Sequence, residues 1–193
     1  MYNFNPYNLI EFYVGKITEQ QTVKIYTDDI TSIDITVSDG NKWYSYLLPK
    51  NKGLYKIEGD SVKKVVIKAD INIDSDTIIP TSTVEASFKG SNTSNVTNML
   101  MMFFGCEALT SLDLSGWNTS NVIYMGQMFD FCSSLTSLDL SGLDMSNVTH
   151  TDSMFNGCAA LKTITMKGCS EATINKIAAV KPSGATILTG QTI

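Results

Sequence analysis

The chain has 193 residues, of which 43% are hydrophobic, an ordinary content for a globular protein that folds as one or two small domains without metals or disulfides. Its formal net charge of −5 arises from 14 basic and 19 acidic residues, and neither sign forms a long run. This charge excludes the long-range attraction to a phosphate backbone that supports nucleic-acid binding, so we expect no nucleic-acid partner.

Residues 1–62 contain no repeat and show the pattern of short strands. Ile33, Ile35 and Val37 alternate with polar residues, which is the period of a half-buried strand. The predicted strands are Glu11–Lys16, Thr22–Tyr26, Ser32–Val37, Lys42–Leu48 and Leu54–Glu58. We expect a small antiparallel β-sheet or sandwich domain over residues 1–62.

Three units of 26 residues follow, at 92–117, 118–143 and 144–169. The same residue types recur in register, and such self-similarity is far more specific than a short motif. Aligned positions are Val96/Val122/Val148, Met102/Met128/Met154, Phe103/Phe129/Phe155 and Leu109/Leu135/Leu161. The half-unit Thr83–Gly90 fits the same frame, so the repeat begins before its first full unit.

Two periods alternate within each unit. Val96, Met99, Met102 and Phe103 have the spacing of one apolar stripe on a short helix, whereas Leu112 and Leu114 share one side of a strand. The predicted fold class is therefore an α/β solenoid, leucine-rich-repeat-like, with one short helix and one strand per repeat, over residues 63–169. Residues 170–193 are predicted to form a C-terminal cap with a helix at 172–179 and a strand at 186–188.

The repeats resemble the leucine-rich repeats of the BspA-like type, whose units look like NTSNVTNMSxMFxGCxSLTSLDLSxW and are also seen in bacterial surface lipoproteins. The resemblance covers Asn92–Cys169 closely. It implies a horseshoe or ribbon-like stack used for adhesion or protein interaction, with no catalytic residue to carry over. Repeats of this type also occur in proteins of phages that infect gut bacteria.

Catalytic chemistry requires a constellation of acid, base and nucleophile, and the sequence offers one histidine, His150. This residue occupies the repeat position of Asn98 and Tyr124, away from the apolar stripe, so we interpret it as a surface histidine. We expect no enzymatic activity and no cofactor.

No metal site is predicted either. The segment from Asp70 to Asp76 resembles the start of a calcium loop, but Ser75 and Thr81 replace the required glycine and glutamate, and a solvated connector is favoured. The 26-residue spacing of Cys106, Cys132 and Cys158 differs from that of zinc ligands. These cysteines are interpreted as buried free thiols, although stacked neighbours would lie within disulfide reach.

The asparagines at 95, 121 and 147 also stack in the repeat frame. Several asparagines begin Asn-x-Ser/Thr triplets that a eukaryotic secretory pathway could glycosylate. We favour a structural reading, in which the stacked amides satisfy backbone groups at the turn into each helix.

Two surfaces are candidate binding sites. The first is the exposed side of the repeat strands, where solenoids commonly bind partners; the predicted ligand-binding residues are Ser111, Asp113, Ser115, Ser137, Asp139, Ser141, Thr163 and Thr165. The second is a predicted partner interface at Leu100, Met101 and Phe104, which lie off the buried stripe. Packing against residues 1–62 is an equally good explanation of the second surface.

We therefore expect a non-enzymatic surface-interaction or adhesion module that binds protein or glycan. The alternative is a phage virion structural or decoration protein whose N-terminal domain docks on a larger particle. The first residues lack the pattern of a signal peptide, and no apolar run is long enough to span a bilayer. The expected location is extracellular, on a cell surface or in a virion, with self-association possible through the second surface.

Overall fold

The computed structural model describes residues 9–27, 32–48, 54–69, 71 and 76–190. Within these residues the chain forms eleven strands and one helix. They are β1 (Leu9–Val14), β2 (Gln21–Thr27), β3 (Ser32–Val37), β4 (Lys42–Leu47), β5 (Leu54–Glu58), β6 (Val62–Lys68), β7 (Glu85–Ser87), β8 (Ser111–Asp113), β9 (Ser137–Asp139), β10 (Thr163–Thr165), α1 (Glu171–Val180) and β11 (Thr186–Leu188).

The N-terminal strands form two antiparallel layers. β1 lies between β4 and β6, and β2 lies between β3 and β5. Ile10, Phe12 and Val14 are buried in alternation along β1, so each strand presents one side to the core. All five strands predicted from the sequence are present, with ends shifted by at most two residues.

From β6 onward the strands run parallel and come from successive coils of a β-solenoid of about five turns. A coil is here one circuit of the 26-residue repeat. Ala86 pairs with Leu112, and Leu138 pairs with Ile164, which in turn pairs with Ile187. The half-unit at 83–90 is therefore part of the repeat, as its sequence indicates. We call the strands β4-β1-β6-β7-β8 and β9-β10-β11 the strand wall.

The opposite side of each 26-residue coil consists of turns without a regular strand or helix, and it continues from the sheet β3-β2-β5 of the N-terminal strands. We call this side the turn wall; it contains the sheet β3-β2-β5 and then residues 76–80, 98–105, 124–131 and 150–157. Backbone hydrogen bonds connect its neighbouring segments, including Ile57 N to Ile78 O (2.9 Å), Ile78 N to Met102 O (2.9 Å) and Phe103 N to Met128 O (2.9 Å). Both walls therefore continue without interruption from the N-terminal strands into the solenoid.

The prediction of one helix per repeat is wrong. The residues expected to be helical form successive turns, in which Met101, Gln127 and Ser153 adopt left-handed φ values of 62°, 53° and 55°. A left-handed residue breaks the i to i−4 ladder of an α-helix. The backbone N–H groups instead bond to the next coil, as Met101 N does to Gly126 O at 3.1 Å.

Aromatic and threonine side chains fill the interior in register. Phe103 stacks on Phe129 (5.6 Å between ring centroids), and Phe129 stacks on Phe155 (5.5 Å). At another corner the buried Thr93 hydroxyl donates to Asn118 O and accepts from Asn118 N, both at 2.9 Å. Such reciprocal pairs satisfy backbone groups that would otherwise be buried unpaired.

The helix α1 closes the C-terminal end of the core, and its bounds agree with the predicted 172–179. Ser170 caps its first turn by accepting a hydrogen bond from Thr173 N. Lys176 Nζ donates to the carbonyls of Met145 (2.6 Å) and Val148 (2.7 Å) in the last full coil. The predicted strand at 186–188 is present as β11 and pairs with β10.

Candidate functional site

The predicted ligand-binding residues lie on the outer side of the strand wall. Leu112 and Leu114 face the core, while Ser111 and Ser115 are exposed and Asp113 is half-buried. β9 has the same alternation, but Asp139 is exposed, and Thr163 and Thr165 on β10 are half-buried. The alternation inferred from the sequence is therefore confirmed.

Asp113 and Asp139 also stabilise the turns that follow their strands. Ser115 N donates to Asp113 Oδ1 at 2.9 Å, and Ser141 N donates to Asp139 Oδ1 at 2.9 Å. Aspartate commonly stabilises a turn in this way. Part of the predicted binding signal, the recurring Asp-Leu-Ser sequence, is thus explained by turn formation.

Asp113 is held in its charged form by its neighbours. Burial opposes ionisation, but the Ser115 hydroxyl and N–H donate to the carboxylate and Lys89 is nearby, so the pKa of Asp113 lies below its usual value. The carboxylate is therefore negative at neutral pH and can accept hydrogen bonds from a partner.

The strand wall is interrupted at one place. β8 and β9 belong to neighbouring coils, yet they fall in separate sheets, and no backbone hydrogen bond joins them among residues 76–190. A cleft of about 250 Å³ opens beside these strands. We call it the β8–β9 cleft; its lining is Leu112, Asp113, Leu114, Ser115, Trp117, Asp139, Leu140, Ser141 and Leu143.

The cleft combines an apolar floor with a polar rim. Trp117 lies against Phe88 (5.4 Å between ring centroids) and Phe103 (6.2 Å). Its buried Nε1–H has no hydrogen-bond partner among the described residues, which is costly for a buried donor. The structure thus brings Asp113, Ser115, Asp139 and Ser141 together, and leaves Ser111, Ser137, Thr163 and Thr165 outside the cleft lining.

The predicted partner interface lies on the turn wall. Leu100, Met101 and Phe104 are half-buried, and the carbonyls of Met101 and Phe104 accept hydrogen bonds from the Thr77 hydroxyl at 3.3 and 3.2 Å. Phe104 packs edge-on against Phe131, with 6.0 Å between ring centroids. Neighbouring coils and residues 76–80 of the turn wall therefore account for part of this apolar surface, and its role in partner binding stays a prediction.

Phe131 is a surface residue that the sequence interpretation missed. It is 45% exposed and has φ 60°, at the repeat position where Gly105 and Gly157 both have φ 70°. A left-handed conformation is strained for a residue with a large side chain. The sequence did contain a sign of this strain. The other two units have glycine at this position, which indicates a left-handed backbone that phenylalanine does not favour.

His150 is exposed, as predicted, and has two neighbours on the surface. Its ring packs against Tyr124 with 4.7 Å between centroids and a tilt of 30° between the ring planes, and its Nδ1 lies 2.8 Å from the Thr149 hydroxyl. Through Tyr124, His150 contacts the preceding coil at the surface.

Three cysteines and two asparagines occupy equivalent positions in successive coils. Cys106, Cys132 and Cys158 are free and buried, as predicted, and burial raises the pKa of Cys106 to about 12 and that of Cys158 to about 11. The Asn121 amide donates to Ser94 O at 2.8 Å and the Asn147 amide to Ser120 O at 2.7 Å. The structural reading is confirmed for Asn121 and Asn147, although the turn leads into no helix.

The calcium-loop segment falls mostly outside the described residues, which include Asp76 but not Asp70 or 72–75. Asp76 pairs with Lys56 at 3.0 Å. In the described part of the chain, no cluster of three or more His, Cys, Asp or Glu side chains could hold a metal ion. The same residues include no helix with the length and apolar character that crossing a bilayer requires.

Comparison with known proteins gives one family. The family described as "Mycoplasma protein of unknown function, DUF285" matches residues 76–176, which extend from the 76–80 segment of the turn wall through the repeats into α1. No curated protein and no solved structure matches. Since the matched residues make up more than half of the 193-residue chain, this protein belongs to the DUF285 family.

Proposed function

We propose that the chain is a non-enzymatic binding module that engages a protein or glycan through its strand wall, with the β8–β9 cleft at the centre of the site. The observation that carries this proposal is the interrupted ladder between β8 and β9. The strands on either side of this gap are joined to their other neighbours by parallel ladders, whereas here the gap opens toward an apolar floor. A concave apolar site with a few polar groups is the usual form of a binding pocket.

The rim determines the chemistry of the partner. Asp113 and Asp139 supply hydrogen-bond acceptors, and Leu114, Leu140 and Trp117 supply apolar surface between them. A suitable partner places an apolar group in the cleft and directs hydroxyl, ammonium or guanidinium donors at the carboxylates. The ring of a sugar and a side chain of a protein both meet this description.

The resemblance to BspA-like repeats supports the same proposal, because such repeats occur in adhesins and bacterial surface proteins. We extend the proposal to location, and place the protein outside the cell or on a cell surface. The alternative role as a virion component stays a hypothesis, and mass spectrometry of purified particles would test it.

Glycan and protein arrays probed with the folded chain test the proposal. A Ser115→Phe variant fills the rim of the cleft, and a Ser137→Phe variant makes the same change on β9 outside the lining. We expect binding by the wild-type chain and by Ser137→Phe, and at least a tenfold loss of affinity for Ser115→Phe, equivalent to about 1.4 kcal/mol. Failure of the folded wild-type chain to bind any array member, or equal binding by both variants, would count against the proposal.

A further inference from the structure

The edge of the strand wall at β4 is an unpaired apolar strand. β4 pairs with β1 on one side, and no strand pairs with its other side among the described residues. Its outward side chains Trp43 and Leu47 are 50% and 51% exposed. An exposed edge strand is a template for a further strand, and adjacent large apolar side chains indicate a partner surface.

This edge also lies at one end of the hydrophobic core. The helix α1 packs on the opposite end of the core, where Ile174, Val180 and Ile187 are also partly buried. Within the described residues, the β3 and β4 end has no such helix, and four apolar side chains there are only partly buried. They are Ile33 and Ile35 on β3 and Tyr44 and Tyr46 on β4. A terminal unit with a partly open core requires a cover.

We propose that a second copy of this chain provides the cover, with the two β4 strands paired antiparallel about a twofold axis at Ser45. The strand walls of the two copies then form one continuous sheet. Tyr44 and Tyr46 from both copies meet on its inner side, beside Ile33 and Ile35.

The parity rule and the side chains of β4 together select the register. Opposite residues in an antiparallel pair must point to the same side of the sheet, so odd-numbered residues of β4 pair with odd-numbered residues. Centring on Ser45 places Trp43 opposite Leu47 of the second copy and Leu47 opposite its Trp43. It also places Tyr44 opposite Tyr46, so the strand is self-complementary in the way that a twofold interface requires.

Charge does not oppose this pairing. Lys42 is the one charged residue of β4, and it already pairs with Asp39 at 2.6 Å. In the proposed register the two Lys42 residues lie at opposite ends of the interface, about 20 Å apart, which is beyond the screening length at physiological salt. β3, the other edge strand at this end, carries Asp34 at its centre, a charge of the kind that protects edges from pairing.

Native mass measured by sedimentation is the first test. We expect twice the 21.1 kDa of one chain for the wild type. A Ser45→Lys variant places two ammonium groups together at the axis, and we expect it to be monomeric. The matched Ser137→Lys variant carries the same change on β9 and should remain dimeric, with circular dichroism confirming that both variants fold.

Cross-linking tests the register independently of the lysine variants. Directly opposite residues of an antiparallel pair have Cα atoms about 4.5–5.5 Å apart, which is within disulfide range. Ser45→Cys should therefore form a covalent dimer under mild oxidation, and Ser137→Cys should not. This result decides the question even if Ser45→Lys fails to fold.

Three outcomes would overturn the inference. They are a wild-type mass of one chain, a dimer that persists in folded Ser45→Lys, and the absence of a Ser45→Cys cross-link. A monomeric wild type that dimerises after removal of residues 1–8 would show instead that the chain's own N-terminal segment occupies the edge.

Discussion

Thr119 and Asp144 form a reciprocal hydrogen-bonded pair across two neighbouring coils. The buried Thr119 hydroxyl donates to Asp144 O at 2.9 Å and accepts from Asp144 N at 2.9 Å. The pair repeats the geometry of Thr93 and Asn118 one coil earlier. A single hydroxyl thus replaces two backbone partners at a corner where the coils have no strand ladder.

Replacement of Thr119 by valine should lower the free energy of unfolding by about 1–3 kcal/mol, because the shape is kept while two backbone groups lose their partner. Chemical denaturation measures the change. Thr136→Val is the control, since Thr136 is exposed, and it should have little effect. Equal stability of the two variants would contradict a structural role for the Thr119 pair.

The two phenylalanines Phe129 and Phe131 of the second repeat should differ strongly in their sensitivity to truncation. Phe129→Ala should cost about 3–5 kcal/mol, because Phe129 is fully buried in the ring stack. Phe131→Gly should change stability by less than about 1 kcal/mol, because relief of the left-handed strain offsets the lost contacts of an exposed ring. Thermal and denaturant unfolding compare the variants, and a large loss for Phe131→Gly would show that its contacts dominate.

Stability should fall as pH rises above about 8.5, the ordinary pKa of an unfolded cysteine. Burial raises the pKa of Cys106 to about 12 and of Cys158 to about 11, and raises that of Cys132 as well. In this pH range the unfolded chain loses thiol protons that the folded chain keeps, so the stability contributed by neutral burial is lost as pH rises toward the folded values.

Denaturant unfolding at pH 7.5 to 10.5 measures this dependence. The stability of a Cys158→Ala variant should decline less steeply with pH than that of the wild type, because one thiol with a raised pKa is removed. An identical slope in both proteins would assign the decline to other groups.

Removal of the Lys176 ammonium should loosen the C-terminal cap. Lys176→Met keeps most of the apolar stem but leaves the carbonyls of Met145 and Val148 without their donor, and we expect a loss of about 1.5–3 kcal/mol. Lys162→Met is the control, because Lys162 is exposed and lies on the coil that contains Met145 and Val148. Hydrogen exchange should show faster opening of α1 in Lys176→Met alone; unchanged exchange would contradict the capping role.

The sequence predicts much of this architecture because inward positions repeat with period 26. Ala86, Leu112 and Leu138 could be aligned on one strand wall from the sequence, and residues 172–179 have the pattern of a closing helix. The turn wall could not be predicted from the apolar stripe within each unit, since Met99 and Met102 face inward equally well from a helix or from successive turns. Met101, Gln127 and Ser153 are not glycines, so their residue types give no sign of left-handed backbone.

The cleft was also beyond prediction from the sequence. Ser111–Asp113 and Ser137–Asp139 are the same tripeptide and each pairs with a strand on its other side, so residue type does not show that the ladder between these two strands is interrupted. The difference lies in backbone hydrogen bonds between coils, which depend on the packing of whole coils. One local signal exists at the corner position, where Trp117 is larger than Leu143 and Cys169 of the following units.

The indole N–H resonances of the two tryptophans test the central claim most directly, because Trp117 lines the cleft while Trp43 lies on β4. Trp43→Phe assigns the two signals in a nitrogen-15 correlation spectrum. Titration with a partner identified on the arrays should shift the Trp117 signal and leave that of Trp43 in place. Saturable binding that shifts only Trp43, or neither signal, would contradict a binding site at the β8–β9 cleft.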